Sequence, residues 1–347
     1  MDNTIVVISE FKKNFKSLNG KHLINITILD IARGYISIGK SHWNKRIKNI
    51  KTNGCWSEFY GNLEEYPKLR ITSEFEKLDS TDKGIISYKL GMGISKIIAE
   101  KYLNIPYIQN VDALINEGII NLTKGTNERG DLVGIDINKN WHVIEAKGRT
   151  SKLTSSIKIK AKTQVEKISK IDKKKPKTKS YCITHINKNR SEIFLNDPDG
   201  STTNVVELEI NDKMFIKNYY DRIFSNYYHT NSNIEVFFVN YDLIFKLFFT
   251  GSDNLYIGIE NRLFQDLNQD NLDFLQDLPL LISNYKNLIN LSNEVISFGS
   301  DGTLLFRDLN NDILYNFITN INNDISIRNL DNYGTNENEQ VLEVEIT

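Results

Sequence analysis

Cysteine, histidine and long apolar runs are all scarce in this sequence, and each scarcity excludes a class. Two cysteines, Cys55 and Cys182, form no CxxC pair and cannot supply a disulfide framework, so they are expected as reduced thiols in a cytoplasmic protein. The five histidines, His22, His42, His142, His185 and His229, show no ligand spacing for zinc. No apolar stretch approaches the roughly 20 residues needed to cross a bilayer, so no membrane association is expected. The opening MDNTIVVISEFKK carries acid where a secretion signal needs base, and its apolar stretch is too short. Internal repeats are not evident. What is left is a chain of 347 residues, 40% hydrophobic and 25% charged, the balance of a soluble globular protein with core enough for two domains.

A formal net charge of −1 conceals a strong polarity. Lys147 to Arg190 holds 15 Lys and Arg against two acids, whereas Ser191 to Thr347 holds 8 basic and 25 acidic residues. A basic block of that kind can neutralise phosphates and release their counterions, or it can be a solvated lysine-rich loop, as KKKPK at 173–177 would suit.

Periodicity and turn residues divide the chain into three. Residues 1–87 read as a mixed region packing on a core, with a strand at LINITIL (23–29) and a polar connector around Lys77–Lys83. From Tyr88 to Leu103, Leu90, Ile94, Ile97, Ile98 and Tyr102 recur at helical spacing, and Pro106 limits that helix. DLVGIDI (131–137) and WHVIEAK (141–147) read as a buried hairpin across Asn138-Lys139-Asn140, followed by a helix around Lys158–Ile171 and a strand at YCITHI (181–186). The turn former NDPDG (196–200) closes this core, taken as 88–200. Residues 201–347 read as a mixed α/β, acidic domain for specificity, regulation or oligomerisation. It includes VFFVNYDLIFKLFF (236–249), a hairpin through Gly299–Gly302 and a closing strand at VLEVEIT.

The hairpin carries the chemistry. With a three-residue loop, Asp131 faces Lys147, and Asp131, Glu145 and Lys147 share parity and therefore one face of the sheet. Two carboxylates among Val, Ile and Trp need a compensating positive charge. A hard divalent cation supplies it, carboxylate oxygens suit Mg²⁺ or Mn²⁺, and the Ala146 carbonyl could add a third oxygen. A cation open to solvent can activate water and bind a phosphate oxygen, with Lys147 offsetting the developing charge. The alternative is a surface ion pair at the mouth of a hairpin.

GDLVGID followed by WHVIEAKGR resembles the PD-(D/E)XK, or restriction-endonuclease-like, phosphodiesterase superfamily over roughly residues 88–200. The resemblance implies an α/β core with a mixed sheet flanked by helices. It makes Asp131 and Glu145 the metal ligands and Lys147 the catalytic lysine. Gly130 stands where the family's name has proline. An added acid from the preceding helix would be Glu100, which otherwise is an ordinary surface glutamate. A glutamine on the following helix would be Gln164, otherwise plain helix surface. The implied activity is a Mg²⁺- or Mn²⁺-dependent endonuclease in restriction, phage defence or repair, on DNA in preference to RNA. Arg149, Lys158, Lys160, Lys162 and Lys167 are expected to contact phosphates. The competing reading is a catalytically silent nucleic-acid-binding or assembly module of the same fold.

Other signals weigh less. Gly34-Tyr35-Ile36-Ser37-Ile38-Gly39-Lys40-Ser41 matches a phosphate-loop pattern literally, but Tyr-Ile-Ser-Ile alternates like a strand. Gly91-Met92-Gly93 lacks the strand and third glycine of a dinucleotide site. His142 and Asp136 fall on the parity opposite to Glu145, which favours packing or surface placement for His142 and a strand-end or turn role for Asp136. The aromatic run at 218–230 favours a core helix over base stacking.

Overall fold

The structure, a computed structural model, describes residues 4–39, 56–65, 68–124, 129–198, 205–225, 227, 234–238, 243–250, 255–271, 285, 289, 292–293, 296–307 and 325–329. It is a mixed α/β protein whose contacts separate two compact units, Met1–Ile223 and Phe224–Thr347. Among the described residues no helix is long and apolar enough to cross a membrane.

In the first unit the elements run β1 (Thr4–Ser9), β2 (Gly20–Ile24), α1 (Ile28–Ile38), helical residues 56–62 (α2), β3 (Leu63–Glu64), β4 (Arg70–Ile71), α3 (Ser73–Lys77), α4 (Ser80–Ile98), β5 (Tyr107–Asn110), α5 (Val111–Asn116), β6 (Ile120–Lys124), β7 (Leu132–Ile135), β8 (Trp141–Arg149), α6 (Ser155–Lys167), β9 (Ile168–Ile171), β10 (Thr178–Ile186), β11 (Ser191–Asn196), β12 (Val206–Ile210) and α7 (Asp212–Phe224). Seven strands form the central sheet in the order β2-β1-β11-β10-β8-β7-β5, with β8–β10 and β1–β11 parallel and the other pairs antiparallel. β6, β12 and β9 form a smaller sheet.

Several expected elements fall differently, each for a local reason. LINITIL does not continue as a strand: Thr27 and Asp30 form a reciprocal capping box, and α1 begins at Ile28. The phosphate-loop match therefore lies in α1, which is buried throughout and capped by Gly39 at φ +74°; Lys40 and Ser41 lie outside the described residues. The connector at Lys77–Lys83 is instead the start of α4, where the Asp79 carboxylate accepts the N–H groups of Thr81 (2.7 Å) and Asp82 (2.9 Å). α4 runs into a π-helical turn, Ala99–Leu103, that ends on Asn104 in the left-handed region. The helix expected to Ile171 stops at Lys167, because Ile168–Ile171 turns into β9 and pairs with β12.

β1 and β2 belong to the central sheet rather than packing upon it, and β12 and α7 belong to the first unit. The compact unit thus ends at Ile223, past the NDPDG turn. α7 buries Phe215, Tyr219 and Tyr220. Trp141 meets Phe215 edge-on at 5.1 Å, and the Tyr107 ring lies 5.4 Å from that of Tyr219, so this stretch of the aromatic run is core.

Two glycine contacts set α4 in place. A Cβ on Gly93 would collide with the Ile31 carbonyl and one on Gly34 with the Gly93 carbonyl, so α1 and α4 touch backbone to backbone. A Cβ on Gly91 would lie 2.7 Å from the Lys147 carbonyl carbon, and one on Gly148 would overlap the Ser87 carbonyl oxygen. The Gly91-Met92-Gly93 motif is thereby explained as packing.

In the second unit six strands pair antiparallel in the order β16 (Ile296–Phe298), β17 (Thr303–Arg307), β15 (Leu255–Glu260), β14 (Leu243–Phe249), β13 (Ile234–Phe238) and β18 (Ile325–Asn329). α8 (Asn261–Asn268) packs on β14 and β15 through Phe264, 5.0 Å from the Phe248 ring. The Gly299–Gly302 hairpin is present, held by Asp301 accepting the N–H and hydroxyl of Thr303; VLEVEIT lies outside the described residues.

The Gly148 contact yields a test. Gly148→Ala should lower unfolding free energy by about 3 kcal/mol, since the intruding methyl meets backbone rather than a side chain that can rotate away. Urea denaturation with a wild-type midpoint would show that α4 does not lie on β8 as described.

Candidate active site

The hairpin register decides which side chains meet. β7 and β8 pair Ile135 with Trp141 and Leu132 with Ile144, across a five-residue connection rather than a three-residue loop. Asp136 causes the longer turn: its Oδ1 accepts the N–H groups of Asn138 (2.9 Å) and Asn140 (2.8 Å), while its own N–H donates to the Asn140 carbonyl. The register is shifted by two residues from the expectation, so parity survives but the partner changes. Asp131 comes beside Glu145, not opposite Lys147.

β7 pairs with β8 only as far as Leu132, whereas β8 continues through Arg149. Asp131 stands at that step, its carbonyl accepting the Val111 N–H at the start of α5 (3.0 Å). The Asp131 N–H donates to Glu145 Oε2 (3.1 Å), and the Ala146 N–H donates to Asp131 Oδ2 (3.1 Å). A strand residue's N–H and C=O point the same way, so the Ala146 carbonyl also faces Asp131. The Lys147 ammonium donates to Glu145 Oε1 and lies 3.7 Å from Asp131 Oδ2.

Lys147, Ile183 and Phe194 lie in register across β8, β10 and β11, and Lys158 of α6 sits 4.7 Å above the Phe194 ring. α6 therefore covers the face that carries Glu145 and Lys147, and α4 covers the other.

Two carboxyls thus meet one ammonium, with Glu145 wholly buried. Burial, followed by the neighbouring Asp131 charge, pushes the Glu145 carboxyl up to about 8 despite Lys147. Burial likewise raises Asp131, against the opposing pull of Lys147 and the Ala146 N–H. A divalent cation would relieve this excess of negative charge, and the donor set of two carboxylates and a carbonyl is of the hard oxygen kind that Mg²⁺ or Mn²⁺ takes. Among the described residues no three His, Cys, Asp or Glu side chains converge on one point.

Glu100 is not brought to this group. Nor is it a surface residue: it is buried in an ion cluster with Arg33 (2.7 Å) and Lys96 (2.9 Å), whose ammonium also reaches the Pro106 carbonyl. Gln164 lies half-buried on α6, and its buried Oε1 has no hydrogen-bond partner among the described residues; the same holds for Arg149 Nε, two residues beyond Lys147 on its face.

The lysine row divides. At 100° per residue, Lys158 and Lys162 fall on one flank of α6 and Lys160, Gln164 and Lys167 on the other, either side of buried Ala161 and Val165. The Lys158–Phe194 contact marks the first flank as the β11 side. The second flank is therefore the β8 side, with Gln164 nearer the buried stripe than Lys160 and Lys167.

Two neighbours had no signal in the sequence. Tyr88, on α4, is acted on by the charges of Asp131, Asp112 and Glu145, and burial followed by those charges raises its phenol to about 12. Asp112, in the first turn of α5, is paired with Arg129. Finding either required knowing where α4 and α5 pack. His142 and Asp136 hold the turn and packing roles expected of their parity: His142 Nδ1 is 2.8 Å from Thr178 Oγ1 and Nε2 is 3.3 Å from Asp136 Oδ2. Although burial opposes it, the His142 and Asn140 hydrogen bonds hold Asp136 well below the usual carboxylate range.

No family model matches the chain, and no curated protein or solved structure resembles it at a significant level.

The raised Glu145 carboxyl has a pH consequence. Relative to an unfolded value of 4.5, its contribution to stability is complete below that pH and is lost as pH rises through about 8. A cation that needs the carboxylate must displace the proton at lower pH. The rise in melting temperature caused by Mg²⁺ or Mn²⁺ should therefore grow from pH 6 to pH 8.5, and should be absent at both in Glu145→Gln. Differential scanning fluorimetry showing a pH-independent shift would contradict the assignment.

Proposed function

We propose that the chain is a divalent-metal-dependent phosphodiesterase that cuts nucleic acid, with Asp131, Glu145 and the Ala146 carbonyl as the metal-holding group and Lys147 as the catalytic cation. The observation that carries the reading is the meeting of two desolvated carboxyls and one ammonium at the open end of the β7–β8 hairpin. The preference for DNA over RNA, and a place in restriction, phage defence or repair, follow from the PD-(D/E)XK resemblance alone.

Bound there, Mg²⁺ or Mn²⁺ would supply Lewis acidity toward a phosphate oxygen and lower the pKa of a water. The chain's own residues do the rest. Lys147 offsets charge developing on the phosphate, in a site dry enough for that charge to matter. Arg149, on the same face, offers a guanidinium to an adjacent phosphate, and Gln164 offers an amide from the α6 wall. Lys160 and Lys167 line the flank along which a phosphate backbone would reach the carboxyls. The acidic residues 201–347 are assigned to specificity, regulation or self-association rather than to direct contact with nucleic acid.

In plasmid cleavage with Mg²⁺ or Mn²⁺, Asp131→Ala and Lys147→Ala should each lose about 100-fold or more in rate while keeping their fold, and EDTA should stop the wild type. Full cleavage by either variant would remove the site. For binding in EDTA, replacing Lys160 and Lys167 together by Ala should reduce the slope of log affinity against log salt by about 2. Replacing Lys158 and Lys162 should change it less. Equal effects would mean that the nucleic acid does not follow the β8 flank of α6.

A further inference from the structure

A charged patch lies at the end of the hairpin opposite to the carboxyls, and Lys177 holds it together. The Lys177 N–H donates to the Trp141 carbonyl (2.7 Å), and its ammonium reaches Asp136 Oδ2 (3.1 Å) while lying 5.4 Å from the centre of the Phe15 ring. Three segments far apart in sequence thereby meet: a 3₁₀ helix at Lys13–Leu18, the β7–β8 turn, and the loop between β9 and β10. The first brings Lys13 and Lys16, the second Lys139, and the third Lys173, Lys174 and Lys175. All six are exposed, and none is held in an ion pair among the described residues. Against them stand the exposed Glu10, before the first segment, and Asp172, at the start of the third; Asp136 is already paired with Lys177.

Turn geometry does not account for these lysines. Lys13 (φ 51°), Lys139 (φ 58°) and Lys173 (φ 63°) sit in the left-handed region, where Gly or Asn is less strained. Gathering the charges adds repulsion, which a polyanion would offset while its counterions are released. None of the three segments exposes an apolar or aromatic residue, as insertion into lipid or stacking on bases would need. That leaves backbone phosphates as the matching chemistry. α6 ends at the same level, since Lys179, in register with Val143, is 3.4 Å from the Glu166 carboxylate. The β8-side ridge of Lys160 and Lys167 therefore leads toward the patch.

We infer that the turn end of the hairpin is a second, sequence-independent contact for the phosphate backbone of a nucleic-acid duplex. Trp141 is four strand residues from Glu145, about 13 Å, so this contact lies to one side of the carboxyls rather than at them. It goes beyond the phosphodiesterase reading and needs no cleavage.

The test uses the full-length chain in EDTA and two duplexes of unrelated sequence, with fluorescence anisotropy read over a range of salt. One variant combines Lys13→Asn, Lys16→Gln and Lys139→Asn; the other combines Lys173→Asn, Lys174→Gln and Lys175→Gln. Asn suits the left-handed positions, so both variants should melt as wild type does. Each should reduce the slope of log affinity against log salt by about 2 to 3, alike on both duplexes. Vesicles of phosphatidylcholine and phosphatidylserine should not be bound. A slope within about 0.5 of wild type for either variant, or a loss per lysine no greater than on replacing Lys158 and Lys162, would overturn the contact. So would a loss on one duplex alone, or binding to the vesicles as strong as to the duplexes. A chain that binds as expected and cuts nothing would overturn the phosphodiesterase reading alone. One that cuts while both variants bind like wild type would overturn only this contact.

Discussion

The central constraint is a charge imbalance at the hairpin's open end: the buried Glu145 carboxyl and the partly exposed Asp131 carboxyl are joined through a backbone N–H, and among the described residues Lys147 is the one ammonium beside both. Removing a carboxylate from water costs several kcal/mol unless it is compensated. Two other polar clusters in the same unit show what compensation looks like. At Glu100 a single carboxylate meets both Arg33 and Lys96. At Asp136 one carboxylate receives two backbone N–H groups, His142 and Lys177, and its acidity is strengthened. At the hairpin's open end the same fold leaves two carboxyls weakened instead. Packing does not require that outcome, because β7 could end one residue later in an apolar side chain. Groups perturbed by desolvation and a like charge, beside polar atoms of Arg149 and Gln164 that have no hydrogen-bond partner among the described residues, are what the proposed reading accounts for with a cation at the carboxyls and an anion beside them.

The scaffold holds that imbalance with backbone contacts rather than long side chains. Ser87, Gly91 and Gly148 bring α4 against β8 at van der Waals distance, and Gly34 with Gly93 does the same between α1 and α4. Such contacts leave little room for rotation, so the Lys147–Gly148 peptide, and with it the start point of the Lys147 side chain, has one position. At the other end of the hairpin the Asp136 turn fixes the register. Both supports lie outside the carboxyl–ammonium group, yet each determines which atoms it contains.

How far this was legible in the sequence depends on the range of the forces involved. Parity along a strand is local, and it survived an error in loop length: a slip of two residues moved Asp131 from Lys147 to Glu145 without changing face. A slip of one would have separated them. The capping signals at Thr27 and Asp79 were also local and could have outweighed the strand-like look of LINITIL and the polar look of Lys77–Lys83. Glu100 could not be placed, because it is the Arg33 side chain of a distant helix that draws it inside. The NDPDG turn misled about the unit's end for a similar reason: β12 returns to pair with β9 and, more than 80 residues back along the chain, with β6, and pairing at such range leaves no mark on composition.

The split of the lysine row follows from helical geometry once one contact is known, and it bears on how nucleic acid could approach. Counted along the sequence, Lys158, Lys160, Lys162 and Lys167 form one basic stretch. Wound at 3.6 residues per turn they form two ridges, and Lys158 above Phe194 assigns each ridge to a side. The ridge toward β8 carries Gln164 between its two lysines. A polyanion lying along that ridge would meet fixed positive charge before reaching the carboxyls, whose own field repels it. On the phosphodiesterase reading, attraction along the flank and repulsion at the centre would favour a cation at the carboxyls before a phosphate settles there. On that reading the order of binding, metal before substrate, would follow from where α6 puts its charges.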